Sequence, residues 1–346
     1  MATGSASIGK GEGMKKKQAL PKVGFLGTGW IGRHRMQAIH QSKEAEVTAI
    51  ADVCEENARE ASKLAPGAVV VDSLDALLEL GLDAVVIATP SAGHCSQAVR
   101  ALEGGLAVFC QKPLGRSAQE TLMVVQAARA ANRLLDVDFS YRFTDAVQKM
   151  HRLVSSGELG QVYAADLVFH NAYGPDKAWF YDAELSGGGG LMDQGSHLVD
   201  LALWFFGYPE VRSVSSSIFA GGERLKGGSG KVEDYAVVSL VLADGHAVRV
   251  ACSWNVSAGR DAVIESSFYG TQGGVCFRNV QGSFYDFVAE RFRGTETETI
   301  AVPPDEWGGR CAVAWARQLR SLGGGFDPRA ENLVQVAAVL DAAYGR

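Results

Sequence analysis

The sequence predicts an α/β protein in two parts: an N-terminal doubly wound parallel sheet, then an α+β domain with a large, mainly antiparallel sheet. Three observations predict this. From Lys22 to Ser140 short apolar runs alternate with amphipathic helical patterns. After Phe143 the pattern changes, and from Val211 to about Ile300 the chain reads as successive strands. The length of 346 residues, at about 150 per domain, suggests two domains.

The N-terminal runs are Val23–Leu26, Val47–Ala51, Val69–Val71, Ala84–Ala88, Ala107–Cys110 and Leu134–Val137. They are continuous rather than alternating, as strands buried on both faces require. Ser117-Ala118-Gln119-Glu120 is a capping box that opens a helix. Gly81 and Gly104 stand where left-handed residues close helices. The second part opens with a helix at Ala146–Ser156 and a strand at Val162–His170. A Gly run, Ser186–Gly190, leads into a helix at Leu191–Phe206. Asp244-Gly245 marks a hairpin and Gly270–Gly274 another turn. Gly222–Gly230 reads as a flexible surface loop, and helices near Cys311–Ser321 and Ala330–Tyr344 close the chain. The expected divisions are a tag or disordered tail over 1–20, a dinucleotide-binding domain over 21–142, a substrate-binding and oligomerisation domain over 143–328 and a terminal helix over 329–346.

Composition excludes several classes. Hydrophobic residues are 47% and charged residues 21% of the chain, enough for a core without covalent staples. A net charge of −6 opposes a nucleic-acid partner. No apolar stretch approaches the ~20 residues of a membrane helix, and the Gly/Ser/Lys-rich start has no apolar signal core. The six cysteines are scattered without C-x-x-C, which reads as free buried thiols in a reducing, cytoplasmic setting.

The first strand ends in Gly27-Thr28-Gly29-Trp30-Ile31-Gly32, a G-x-G-x-x-G that opens a helix. Gly27 permits the turn, Gly29 lets a diphosphate approach the backbone, and Gly32 allows close helix–strand packing. Asp52 ends the second strand 20 residues after Gly32, the place from which a carboxylate accepts from an adenosine ribose. A carboxylate there repels a 2′-phosphate, so NAD is expected over NADP. The fourth strand runs into Thr89-Pro90 and His94, and the fifth into Gln111-Lys112-Pro113. Both lie at the carboxyl edge where doubly wound sheets bind ligands. Asp193 and His197 are spaced i, i+4, on one face of a helix. Gly195 between them costs about 1 kcal/mol of helix stability, which a close-approaching ligand would justify. No third ligand accompanies the pair, so no metal is expected. The segment His170–Tyr181 mixes hydrogen-bonding side chains with rings and suits a hydroxylated ring compound.

These stretches give the chain a family likeness over nearly all of 21–345. Val23–Gly32, Ala88–His94, Gln111–Leu114, Tyr141–Phe143 and Gly188–His197 together resemble the glucose–fructose oxidoreductase / inositol dehydrogenase (Gfo/Idh/MocA) family. The resemblance implies a Rossmann domain, a C-terminal sheet that often forms the oligomer interface of a homodimer or homotetramer, and NAD(P)-dependent oxidation or reduction of a sugar, polyol or related carbonyl. It implies that Lys112 is the lysine of the family's E-K-P motif, that Lys112–Pro113 is cis, and that Asp193 and His197 are its aspartate–histidine pair. His197 is then the general base, Lys112 the partner of the same oxygen, and Asp193 an orienting group. Gln111 joins the cofactor-binding set; it replaces the family glutamate and should lower the lysine's proton affinity. Trp179 is expected near the nicotinamide without the arginine that often follows it. Tyr141, Arg142, His170, Asn171 and Tyr173 are expected on the substrate side. The alternatives are an NAD-binding regulator without turnover, a glycosidase using NAD transiently, and a carbonyl reductase of the dihydrodiol type.

Overall fold

The computed structural model describes residues 19–225 and 230–346. Most of the expected tail over 1–20, and the middle of the expected loop Gly222–Gly230, lie outside the described residues.

The first sheet is built from β1 (Lys22–Leu26), β2 (Glu46–Ala51), β3 (Val69–Val71), β4 (Ala84–Ile87), β5 (Ala107–Cys110) and β6 (Leu135–Val137), with helices α1 (Trp30–Ser42), α2 (Glu55–Leu64), α3 (Leu74–Leu78), α4 (Ser91–Glu103) and α5 (Ala118–Ala131) between them. Its order is β3-β2-β1-β4-β5-β6, all pairings parallel. The strand order therefore reverses between β1 and β4, and the loops after these strands part to leave a crevice. β4 and β5 are fully buried, as continuous apolar runs require. β3 departs from that expectation: Val69 and Val70 are exposed because β3 is an edge strand. The α5 cap forms as expected on one side only. The Glu120 N–H donates to Ser117 Oγ at 3.2 Å, but the Glu120 carboxylate accepts from the Arg116 N–H at 2.7 Å instead of Ser117. Gly104 is right-handed with φ −73°, and Gly105, with φ +85°, takes the left-handed place expected of it.

The second part continues with α6 (Asp145–Ser155), β7 (Val162–Asn171), the short α7 (Ala183–Ser186), a π-helical turn over Leu191–Gly195 and α8 (Ser196–Phe205). Then come β8 (Val211–Ala220), β9 (Glu223–Arg224), β10 (Tyr235–Leu242), β11 (Ala247–Ser253), β12 (Ala262–Gly270), β13 (Gly274–Asn279), β14 (Phe287–Arg293) and β15 (Glu296–Ala301). They join into one nine-stranded sheet, β15-β14-β13-β12-β7-β11-β10-β8-β9, antiparallel except for β7 and β11. The two last helices, α9 (Arg310–Leu322) and α10 (Asn332–Tyr344), return towards the first domain. Trp315 and Leu319 of α9 join Phe25, Ile50 and Phe109 in the core on one face of the first sheet. The Trp315 and Phe109 rings lie 5.5 Å apart. Large aromatic groups bury about 150–250 Å² each, so this contact ties the end of the chain firmly to its beginning.

The Gly run is shaped by Glu233. Its carboxylate accepts from the N–H groups of Gly189 and Leu191, each at 2.9 Å, and from the Tyr344 hydroxyl at 2.8 Å. A Cβ on Gly189 would stand 1.8 Å from the Glu233 carbonyl oxygen, so only glycine fits there.

Candidate active site

At the crevice between β1 and β4 the glycine loop is packed as a cradle. A Cβ on Gly27 would meet the Ala88 carbonyl at 2.7 Å, and one on Gly32 the Gly27 oxygen at 2.3 Å. Over Gly29 there is open space, bounded within 4 Å only by Lys177 Nζ at 3.7 Å. No side chain caps the start of α1 and no acid stands in its first turn. Free N–H groups thus face a gap that a phosphate group fits. Asp52 fixes the loop: Oδ2 accepts from the Thr28 N–H at 2.6 Å and hydroxyl at 3.0 Å, and Oδ1 from the Cys54 N–H at 2.8 Å. Arg33, which the sequence reading passed over, donates to the Thr28 carbonyl at 2.7 Å and to Asn57 at 3.1 Å beside the same rim. Trp30 is exposed and stacks on His34 at 5.6 Å.

From there a cleft of about 540 Å³ runs between the two domains. Trp30, Ile31, Thr89, Pro90, His94, Gln111, Lys112, Tyr141, Trp179, Asp193 and His197 all line it. The Lys112–Pro113 peptide is cis. Lys112 Nζ donates to the Asp193 carboxylate at 2.5 Å and to its carbonyl oxygen at 2.8 Å. The other carboxylate oxygen of Asp193 accepts from the Trp254 indole N–H at 3.2 Å. His197 is buried, edge-on to Tyr141 at 5.0 Å and to Phe139 at 6.0 Å. Burial, then the charges of Lys112 and Arg35, push its imidazole well below the usual histidine range. The ring is therefore neutral near pH 7, and its Nδ1 has no hydrogen-bond partner among the described residues.

The structure corrects several expectations. The helix expected over Leu191–Phe206 opens instead with a π-helical turn at Leu191–Gly195, and Asp193 turns to Lys112. The tolerance for Gly195 comes from packing rather than a ligand, since a Cβ there would meet Leu191 at 2.6 Å and Cys252 at 3.3 Å. His94 is engaged structurally, its two ring nitrogens each 2.7 Å from a carbonyl oxygen, of Pro113 and of Thr89, so it holds the two loop ends together. Arg142 is not in the cleft. It forks onto buried Asp200, with Nε to Oδ2 at 2.6 Å, and lines a separate cavity of about 310 Å³. His170 Nδ1 lies 2.7 Å from the Ser253 hydroxyl and its ring stacks on Tyr235. Neither His170 nor Asn171 nor half-exposed Tyr173 is among the lining residues, because the chain turns into the cleft only from Asp176 onward. Cys54 is exposed, unlike the other five free cysteines.

Gln111 belongs to a buried network absent from the sequence reading. Its amide donates to Asp138 Oδ2 at 2.6 Å, and Arg35 Nε donates to the same oxygen at 2.5 Å. The negative charge missing at Gln111 is thus present at Asp138, which is 1% exposed. Gln111→Glu would face two carboxylates across a buried contact. The introduced acid is expected to titrate at least about one unit high and to cost about 1.4 kcal/mol or more at pH 7, nothing below pH ~4. Equal unfolding midpoints for the two proteins at pH 7 would contradict this, and an unmoved pH–rate profile would remove Gln111 from any influence on Lys112.

Residues 21–139 match the oxidoreductase family's NAD-binding Rossmann fold, and residues 147–276 match the GFO/IDH/MocA C-terminal domain. An inositol 2-dehydrogenase of Acidiphilium cryptum is 31% identical over 256 residues, 73% of this chain and 72% of the relative. The chain belongs to the GFO/IDH/MocA oxidoreductase family. A D-glucoside 3-dehydrogenase of Escherichia coli is 27% identical over 267 residues, 73% of this chain and 76% of the relative. Among solved structures, GenD2 from gentamicin A biosynthesis, in complex with NAD, superposes with a TM-score of 0.79 at 25% identity, covering 98% of this chain and 97% of that one. The protein is thus an NAD-binding dehydrogenase of this family, and the cradle at Gly27–Gly32 fits the dinucleotide. Among the described residues no helix is long and apolar enough to cross a membrane.

Proposed function

We propose that the protein oxidises a secondary hydroxyl of a sugar, glycoside, aminosugar or inositol, reversibly, with NAD as hydride acceptor. The observation that carries this reading is the meeting of Lys112 from the first domain with Asp193 and His197 from the second in one cleft. Bound nicotinamide supplies the hydride chemistry. His197, kept neutral by burial and by two neighbouring cations, takes the hydroxyl proton through Nε2, since Nδ1 is enclosed. Lys112 hydrogen-bonds the same oxygen and steadies its developing charge, and Asp193 with Trp254 holds the ammonium in place. A proton on His197 beside Lys112 is unfavourable, which promotes its onward release. The aromatic groups Tyr141, Trp179, Phe180, Tyr285 and Trp307 line the same space and offer faces to the C–H surfaces of a sugar ring.

The relatives named above act on inositol and glucosides, which supports this class. An NAD⁺-reduction screen over inositols, aldoses, glycosides and aminosugars tests it. Loss of a glycoside with flat nicotinamide absorbance would point instead to a glycosidase, and no turnover at all to a regulator. With NADP⁺ alongside, Asp52→Ser is expected to raise the NADP⁺/NAD⁺ ratio of kcat/KM by about tenfold or more, because a like charge is removed from the 2′ position. A wild-type preference for NADP⁺ would defeat the reading of Asp52.

The nine-stranded sheet supports the proposal that copies pair through it. Helices α6, α8 and α10 pack on its inner side, while Tyr163, Val241 and Tyr269 of its strands are exposed. Sedimentation equilibrium reads the outcome, a monomer being the contrary result. The described cysteines are all unpaired, which supports a reducing, cytoplasmic setting.

A further inference from the structure

Lys177 lies on the strap of chain, residues 172–181, that leaves β7 in the second domain and crosses the cleft mouth. Its ammonium is placed over the glycine loop of the first domain, 3.7 Å from where a Cβ on Gly29 would stand. Neither the Lys177 side chain nor that of the adjacent Asp176 makes a hydrogen bond or ion pair among the described residues; only the Lys177 carbonyl is engaged, accepting from the Phe180 N–H at 3.1 Å. An exposed lysine is ordinarily a solvated charge pointing away from other positive groups. This one points at the positive end of the 13-residue helix α1, which has no acid in its first turn and no side-chain cap. Two positive ends face one gap, and among the described residues no acid stands in the first turn of α1 or pairs with Lys177. That arrangement costs energy in the empty protein and is relieved when a negatively charged group occupies the gap.

We propose that Lys177 is the second domain's own ligand to the dinucleotide diphosphate, opposite the N-terminus of α1, and that cofactor binding thereby fastens the strap across the cleft. This rests on the NAD-dependent reading above. The consequence reaches the substrate end, because Trp179 rides on the same strap two residues later and lines the cleft. Occupation of the diphosphate gap orders the wall against which the sugar is seated. The cofactor then binds first, and the substrate meets a closed wall only after it.

The experiment compares the full-length wild type with Lys177→Met and Lys177→Arg. NADH affinity is read by fluorescence titration at several salt concentrations, and quenching of tryptophan emission is followed in parallel. Lys177→Met is expected to weaken NADH by about tenfold and to flatten the salt dependence of its Kd. Lys177→Arg should restore most of both. The unfolding midpoint without cofactor should not fall, since the side chain makes no hydrogen bond or ion pair to lose. ADP-ribose, which keeps the diphosphate and lacks nicotinamide, should lose affinity by the same factor as NADH. Equal Kd values and equal salt slopes for wild type and Lys177→Met overturn the proposal. Failure of the wild type itself to bind NADH overturns the NAD-dependent reading, and the proposal with it.

Discussion

His197→Ala is expected to lower the rate of hydride transfer by roughly 10²–10⁴-fold while NADH still binds. In the proposed reaction the ring serves the proton transfer, whereas the glycine cradle is built from residues 27–32. Single-turnover kinetics together with NADH titration separate the two effects, and near-normal turnover would strip His197 of the role. The pH profile gives a second check with a definite sign. Burial and the charges of Lys112 and Arg35 depress the imidazole pKa, so its base form survives to lower pH than a free histidine's. The acid limb of kcat/KM for alcohol oxidation should therefore lie below the ordinary value of about 6.5. Removing one of the two cations favours the charged ring. Lys112→Gln should thus shift that limb upward as it slows the reaction, and a downward shift would contradict the assigned electrostatics.

Glu233→Ala should produce the largest loss of stability. Three donors, the N–H groups of Gly189 and Leu191 and the Tyr344 hydroxyl, converge on this buried carboxylate. Without it they are left inside the protein unpaired, at about 1–3 kcal/mol each. Desolvation raises the Glu233 pKa, so burying its charge already offsets part of the gain. A net loss of about 2–4 kcal/mol follows. Activity should fall too, since the turn carrying Asp193 starts at Leu191, whose N–H Glu233 holds. Denaturant unfolding of the variant measures the first effect, and an unchanged midpoint would show that water replaces the carboxylate at no cost.

The fold was legible where the signal is local. Buried parallel strands announce themselves as unbroken apolar runs, and β4 and β5 sit where those runs stand. The glycine loop, Lys112 and the segment holding Asp193 and His197 were legible for a related reason: each is a short stretch whose residue types have few other uses in that order. Even there, local rules reached a limit. The i, i+4 spacing of Asp193 and His197 implied a regular helix from Leu191, and the segment opens instead as a π-helical turn, held by Glu233 from 42 residues away at Leu191.

Residue order alone reveals the succession of strands and helices, the glycine loop at Gly27–Gly32 and three polar groups, Lys112, Asp193 and His197, that line one cleft. Who faces whom is settled by the packed fold. Arg35 and Asp138 are 103 residues apart, Lys112 and Asp193 81, and Asp193 and Trp254 61. Arg142 turned to Asp200, 58 residues on, and so left the cleft where it was expected. Lys177 came to rest over Gly29, which its neighbours in sequence give no hint of. The physical reason is the same in each case. Hydrogen bonds and charge pairs act over a few ångströms of space, and the packing of two sheets against shared helices brings those partners within reach.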